Sequence, residues 1–507
     1  MGSKRFTFLA AAFGVAVSFL LGRLMYISVF KNNEYSEAVS AQQTNVLTLG
    51  KMRGDIYDRN GIRLTGLEKT YYGINSDGEI TSAADGVVSF QTVRRYGNES
   101  VASHIIGYTN SDGEGVCGVE KLCNDSLKSD ENLEVVYKGD ISGCPFDDTD
   151  VNLYSSGEKS AKNVWLTLDS RIQSAVEDVM DKSITRGAVV ILDTDTFEIT
   201  AMASRPDFNR NNPEHYFEMP DAPLMNRAIC QYNAGSIFKI AVTAASLDNN
   251  MEYADRLFYC HGYSESDGKN IFRCHKPEGH GLLDYKTAFA QSCNCAFYET
   301  GLYTGGWKIC HMAEKLGMGA KHLGMENEEA TGYIPFSKTF TDLQLKNISI
   351  GQGDVMITPL QCAVMTSVIA NGGKRCDVGI VKALETEEGI TDFQNGVRNC
   401  VKVMEEETAN EIGKMMRECV LSGTGMGASD CKFSVAGKTG SAETGWEKED
   451  GTLLQHGWFC GFFPYENPKY AMAILCEDGK SGAKSCVEPF VEICNKIYEI
   501  YFKNSRN

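Results

Sequence analysis

GAVVILDTDTFEITAMAS, Gly187 to Ser204, holds two apolar runs, GAVVILD (Gly187–Asp193) and EITAMAS (Glu198–Ser204). They flank Asp193, Thr194, Asp195 and Thr196, a polar turn, so the stretch predicts a β-hairpin. Far downstream, HGWFCGFFP (His456–Pro464) and YAMAILCED (Tyr470–Asp478) predict a second hairpin around Glu466, Asn467 and Pro468. Just upstream of the first, NVWLTLD (Asn163–Asp169) reads as a strand. The segment after it has apolar residues at Ile172, Ala175, Val176 and Val179, a helical spacing that Asp169 or Ser170 caps. EPFVEICNKIYEIYF, from Glu488, predicts an amphipathic C-terminal helix. Strands at both ends with helices between them predict an α+β domain on one antiparallel sheet.

The 507 residues (55.7 kDa) suffice for about three domains. With 42% hydrophobic and 23% charged residues the chain is not intrinsically disordered. The 49 Lys plus Arg against 67 Asp plus Glu leave a net charge of -18, so no nucleic acid is expected as partner. Eighteen cysteines in irregular spacing do not form a small disulfide scaffold.

Lys4 and Arg5 precede an apolar run from Phe6 to Phe30, interrupted by Arg23. Twenty-five residues suffice to cross about 30 Å of hydrocarbon as a helix, and the early basic pair keeps the N-terminus in the cytoplasm. A cleaved signal peptide, with processing near Ala38–Ala41, is the alternative. The organisation expected is a cytoplasmic tail (1–5), a transmembrane anchor (6–30), a β-rich pedestal (31–160) and a catalytic domain (161–507). Nearly all the mass then lies outside a single-pass cell membrane protein. The pedestal shows β-like runs, NVLTL, TYYGI and NLEVVY, and no site chemistry.

Three short motifs carry chemistry only in combination. Ser236 and Lys239 in AGSIFK lie one helical turn apart, so an amine could take the serine proton. That amine must first be neutral, which burial and a second cation promote. Ser292 and Asn294 in SCN offer a hydroxyl and an amide. Lys438, Thr439 and Gly440 end a strand-like FSVAGKTG, where glycine lets a peptide approach the backbone. The order S-x-x-K, S-x-N, K-T-G, with Ser292 lying 56 positions after Ser236 and Lys438 lying 146 positions after Ser292, is the signature set of penicillin-binding proteins and serine β-lactamases.

On these motifs the chain resembles a class B penicillin-binding protein, a monofunctional peptidoglycan D,D-transpeptidase. RGDIYDRNG (Arg53–Gly61) and HIIGYTNSDGEGVCGVEKLCNDSL (His104–Leu127) resemble the family's pedestal blocks. LTLDSRIQ (Leu166–Gln173), MASRPDFN (Met202–Asn209), SIGQGDVMITPLQCAVMTSVIANGG (Ser349–Gly373) and GTG (Gly423–Gly425) resemble its transpeptidase domain. The resemblance implies Ser236 as nucleophile, Lys239 as general base and Ser292 as proton relay. It implies Asn294 on the substrate amide, and Lys438 and Thr439 on the terminal carboxylate. The oxyanion hole would be the N–H groups of Ser236 and Ser441. Ala234 and Ile237 depart from the family pattern, which favours proline and a small residue there. Nothing resembles a glycosyltransferase domain, which sets the chain apart from the bifunctional class A, and the class B resemblance implies a multi-pass membrane glycosyltransferase as partner. Peptidoglycan stem peptides are the implied substrate and β-lactam antibiotics the implied inhibitors. A D,D-carboxypeptidase, a β-lactamase and a structural scaffold are the competing functions.

No cofactor is expected for catalysis, but one structural zinc is. YCHGYSESDGKNIFRCHKPEGHG (Tyr259–Gly281) carries Cys260, Cys274 and three of the eight histidines, and Cys293 and Cys295 flank Asn294. The expected ligands are Cys260, Cys274, His280 and Cys293, with His275 as alternate. Some clostridial relatives carry a cysteine-rich zinc site near the catalytic serine. A Cys260–Cys274 disulfide, or plain reduced thiols, are the alternatives, and Ser266 to Asn270 would turn a hairpin between the two cysteines.

Overall fold

Five strands build the central sheet: β1 (Gly187–Asp193), β2 (Ile199–Arg205), β3 (Ala436–Glu447), β4 (Leu453–Phe463) and β5 (Tyr470–Cys476). The structure is a computed structural model describing residues 2–97, 101–147, 149–156, 161–266, 270–337, 339–386, 389–392, 399–447 and 453–501. The strand order is β2-β1-β5-β4-β3, antiparallel throughout. Both expected hairpins are present, and β5 zips onto β1 from Tyr470 against Asp193 to Cys476 against Gly187.

The strands read as continuous apolar runs because both faces of the sheet are covered. Ala188, Val190 and Leu192 enter one core with Trp458, Cys460, Ala473 and Leu475. Val189 and Ile191 enter the other with Phe459, Phe463, Met472 and Ile474. The principal helices are α1 (Ser170–Ser183), α2 (Lys239–Asn249), α3 (Asn294–Thr304), α4 (Pro359–Ala370), α5 (Glu406–Leu421) and α6 (Val487–Tyr501). Helices α1 and α6 contribute Ile172, Val176, Phe490, Ile493 and Ile497 to the second core. Helix α4, apolar all round and buried except at its last residue, lies in the first. Asp169 caps α1 by accepting from the Arg171 N–H. NVWLTLD forms a strand over Asn163–Leu166 but joins a separate four-stranded sheet, between Ile56–Tyr57 and Val381–Thr386.

The chain divides into two units, and not by one cut at residue 160. The first comprises Met1–Met52, Leu67–Arg95 and Ser129–Ser160. Its two three-stranded sheets contain the NVLTL, TYYGI and NLEVVY runs, around Ile74, Phe90, Val135 and Tyr137. The second comprises Arg53–Gly66, Tyr96–Lys128 and Ala161–Asn507. The blocks Arg53–Gly61 and His104–Leu127, expected in the pedestal, therefore belong to the second unit. The reason is a buried ion pair inside that unit: Arg53 Nε lies 2.6 Å from Glu120, and Tyr96 donates to the same carboxylate at 2.9 Å. Ile56, Ile105 and Leu127 join the core of the sheet.

Gly2–Phe30 is one helix, followed by a second over Asn32–Gln43 that contains Ala38–Ala41. Ser3–Phe30 is long and apolar enough to cross a membrane, with mean hydropathy 1.9 and no residue buried. Cys260 and Cys274 are free thiols, whereas Cys376 and Cys400 form a disulfide that the sequence did not suggest.

Candidate active site

Ser236 stands in a 3-10 turn, Gly235–Phe238, and helix α2 begins at Lys239. The expected single helix is thus a tight turn running into one. Gly235 is required: its φ is +55°, and a Cβ there would lie 2.4 Å from the Ser441 carbonyl oxygen. Its N–H donates to Gly351 O at 2.8 Å, so the SIGQG block lies against the Ser236 turn. Ile237, bulkier than the family pattern, is buried and fits because Gly440 has no side chain. A Cβ on Gly440 would come within 2.9 Å of the Ile237 methyl.

Two anchors hold the strand entering this turn. Trp458 Nε1 donates to Asn233 O at 3.0 Å, and the Tyr232 hydroxyl donates to Glu477 at 2.7 Å. Glu477, at the end of β5, also takes Arg227 at 2.8 Å and Arg186 at 2.7 Å. Burial pushes its carboxyl up, but the Tyr232 hydroxyl and the two guanidiniums outweigh burial and hold it below the usual range.

Lys239 is fully buried. Its amine donates to Ser292 O (2.7 Å), Ser292 Oγ (3.1 Å) and Asn294 Oδ1 (2.8 Å), and lies over the Phe297 ring. The second motif thus meets the first through Lys239. Ser292 occupies the left-handed region (φ +55°) at the junction of the Tyr285–Ala290 helix and α3, a strained placement typical of functional sites. Burial, and then the charge of Lys438, lower the Lys239 pKa to about 7.

Lys438 departs from its expected role. It is fully buried, donates to Thr439 O at 2.9 Å, and does not line the cleft, so it offers no direct contact to a substrate carboxylate. Strand alternation is the reason: Thr439 and Ser441 face the cleft while Lys438 and Ala442 face inward. Its charge acts instead on Lys239. Thr439 shares a short hydroxyl contact with Thr424, which belongs to the GTG block.

These groups line one cleft of about 780 Å³. Ser236, Ser292, Asn294, Thr439, Gly440 and Ser441 all reach it. Arg273, Tyr298, Thr424 and Glu443 line it too, and none was anticipated as a site residue. Glu443 was accessible to sequence reasoning, because it continues the period-two face of Thr439 and Ser441.

Beside the cleft, ligand atoms of Cys260, Cys274, His280 and Cys293 all lie within 4.8 Å of one another. Cys260 ends the strand Leu257–Cys260, His280 precedes Gly281–Asp284, and Cys293 sits at the N-terminus of α3. Cys274 follows a hairpin, Tyr263–Ser266 with Asn270–Arg273, whose turn residues 267–269 lie outside the described residues. Cys274 Sγ is 3.6 Å from His280 Nδ1 and 3.9 Å from His275 Nδ1, but His275 also lines the cleft. Hydrogen bonds from Cys293 and Cys295 pull the Cys274 thiol far down, and Cys274 in turn pushes Cys293 up to about 12. One thiolate therefore forbids its neighbours to ionise unless a cation joins them, and the donor set fits a soft divalent ion.

The family described as penicillin binding protein transpeptidase domain matches residues 187–499. Stage V sporulation protein D of Bacillus subtilis is 29% identical over 409 residues, covering 78% of this chain and 61% of that protein. Peptidoglycan D,D-transpeptidase MrdA of Acinetobacter baumannii is 25% identical, covering 92% and 83%. Among solved structures, a penicillin-binding protein (PBP2) from Helicobacter pylori superimposes with a TM-score of 0.74 at 22% identity, over 90% of this chain and 100% of that one.

Proposed function

Since the chain belongs to the family of penicillin-binding protein transpeptidase domains, we propose that it is a serine D,D-transpeptidase that cross-links peptidoglycan stem peptides. The observation that carries this is the Lys239 amine, buried one turn after Ser236 and bonded to both polar residues of the second motif. Deprotonated, the amine keeps two donors for Ser292 O and Asn294 Oδ1 and turns its lone pair to the Ser236 hydroxyl. Ser236 Oγ attacks the penultimate D-Ala carbonyl and its proton passes to Lys239. The Oγ–C bond forms, the peptide C–N bond breaks, and the proton leaves through Ser292 on the amine of the terminal D-Ala. An amine of a neighbouring stem then attacks the ester carbonyl, the new C–N bond forms as the ester C–Oγ bond breaks, and a proton lost by that amine passes through Lys239 to Ser236 Oγ. Backbone N–H groups of Ser236 and Ser441 would stabilise the oxyanion, each donor contributing about 3 kcal/mol. A β-lactam, which resembles the D-Ala-D-Ala end, acylates the same serine.

The apolar helix Ser3–Phe30 supports a membrane anchor, and Lys4 and Arg5 support an outward-facing body. A multi-pass glycosyltransferase in the same membrane is the partner proposed, since cross-linking needs glycan strands to act on. Cys260, Cys274, His280 and Cys293 would hold one zinc, with its charge allowing three thiolates to sit together. Its role is to tie the Cys260 and Cys274 strands to the start of α3, and so to Ser292 and Asn294.

Intact-mass spectrometry after benzylpenicillin should show one adduct, on the peptide containing Ser236. Incubation with a pentapeptide donor and an amine acceptor should yield the cross-linked amide. An adduct elsewhere would overturn the nucleophile, and hydrolysed tetrapeptide alone would overturn transfer.

A further inference from the structure

The cleft is lined by one residue of each fixed charge. Among the described residues that line it, Glu443 is the one carboxylate and Arg273 the one guanidinium. Glu443 has no ion-pair partner among the described residues, and its carboxylate is exposed. It continues the cleft-facing row Thr439, Ser441, Glu443, and it is the last residue before the β3–β4 pairing becomes irregular. Gln455 stands directly opposite it on β4 and lines the same end of the cleft.

We propose that Glu443, with Gln455 beside it, binds the ammonium group of the third residue of the donor stem peptide. The proposal rests on the transpeptidase assignment. In that reaction the attacking group is an amine carried by a neighbouring stem. Stems are copies of one another, so the donor carries the same amine, close to its own scissile bond.

The strand supplies a matching ruler. With the donor's terminal carboxylate at Thr439 and its scissile carbonyl between Ser236 and Ser441, the upstream residues run toward Glu443. The next substrate residue lies roughly 3.5 Å further along an extended chain. Two strand residues, Ser441 to Glu443, span about 6.7 Å. A four-carbon amine arm, about 6 Å long, bridges the difference. Arg273, whose carbonyl takes Asn294 and Tyr298, repels the same ammonium and so favours its placement at Glu443.

The test uses the full chain in detergent and three pentapeptide donors ending in D-Ala-D-Ala. One has a free amine on its third residue, one has that amine acetylated, and one has it succinylated. The wild-type protein should be acylated by the free-amine donor roughly two- to fivefold faster than by the acetylated one, the range of a single accessible ion pair. Glu443→Gln should abolish this preference. Glu443→Lys should reverse it in favour of the succinylated donor, an inversion that a merely structural role would not produce. Benzylpenicillin acylation of each variant reports whether its serine machinery has survived. Should Glu443→Gln lose that acylation, the Glu443→Lys inversion and the wild-type ratio decide. Equal rates of the wild type with free and acetylated donors, or a free-amine preference that survives in an acylable Glu443→Gln protein, would overturn the proposal. A wild-type protein acylated by neither donor nor penicillin would instead overturn the transpeptidase assignment.

Discussion

In the proposed mechanism Lys239 must be neutral when Ser236 attacks, and burial beside Lys438 favours that state. Burial and the Lys438 charge bring its pKa to about 7, so the base is protonated and idle below that value. Acylation by a fluorescent penicillin should therefore rise with pH, reach half its maximum near 7, and fall about tenfold per unit on the acid side. Lys239→Ala should lose acylation by about 10²- to 10⁴-fold while remaining folded. Lys438→Ala removes the neighbouring cation, so the acid limb should move to higher pH. A profile that stays in place would mean that burial alone tunes the amine. The pairing of Ser236 with Lys239 was legible in the spacing of AGSIFK. The inward aim of Lys438 was not, because a single motif does not show which face of its strand is covered.

At the level of elements, the end of β5 locks the strand that leads into the Ser236 turn. Glu477 is held below the ordinary carboxylate range, against the effect of burial, by Tyr232, Arg227 and Arg186. A carboxyl lowered in this way gives stability that is fully present above its unfolded pKa of about 4.3, and lost as pH falls through the folded value. Glu477→Gln leaves Arg227, 1% exposed, without its counter-charge and should cost about 3–5 kcal/mol. Thermal melts of wild type and variant at pH 7 and pH 4 measure both effects, and the gap between them should narrow at the lower pH. The cysteine cluster is the second tie between elements. Elemental analysis should find close to one zinc per chain, and Cys260→Ser should release it and lower both Tm and acylation rate. Full activity in a metal-free protein would remove the zinc from the account. The cysteines themselves were visible in the sequence. Their convergence depends on a hairpin and a helix start meeting across 33 residues, from Cys260 to Cys293.

For the whole molecule, no described residue of the apolar helix Ser3–Phe30 is buried. A protein starting at Asn32 should therefore bind fluorescent penicillin at the wild-type rate, with the signal moved from the membrane to the soluble fraction. Loss of binding on removing residues 1–31 would show that the helix supports the catalytic unit. The interleaved division of the chain has a physical cause as well. Arg53 and Glu120 satisfy each other inside the second unit, so the blocks that carry them cannot stay with the pedestal sheets.

The sequence by itself determined what depends on neighbours along the chain. The two hairpins, the α1 cap, the apolar helix and the three motifs each follow from residues within a few positions of one another. Only the tertiary structure decided what depends on distant partners. It joined β5 to β1 across nearly 280 residues, turned Lys438 inward and drew Arg53–Gly61 into the second unit. Local patterns say which residues want burial or a hydrogen bond. Which partner meets that need is settled only when sheet register and buried charge are satisfied together.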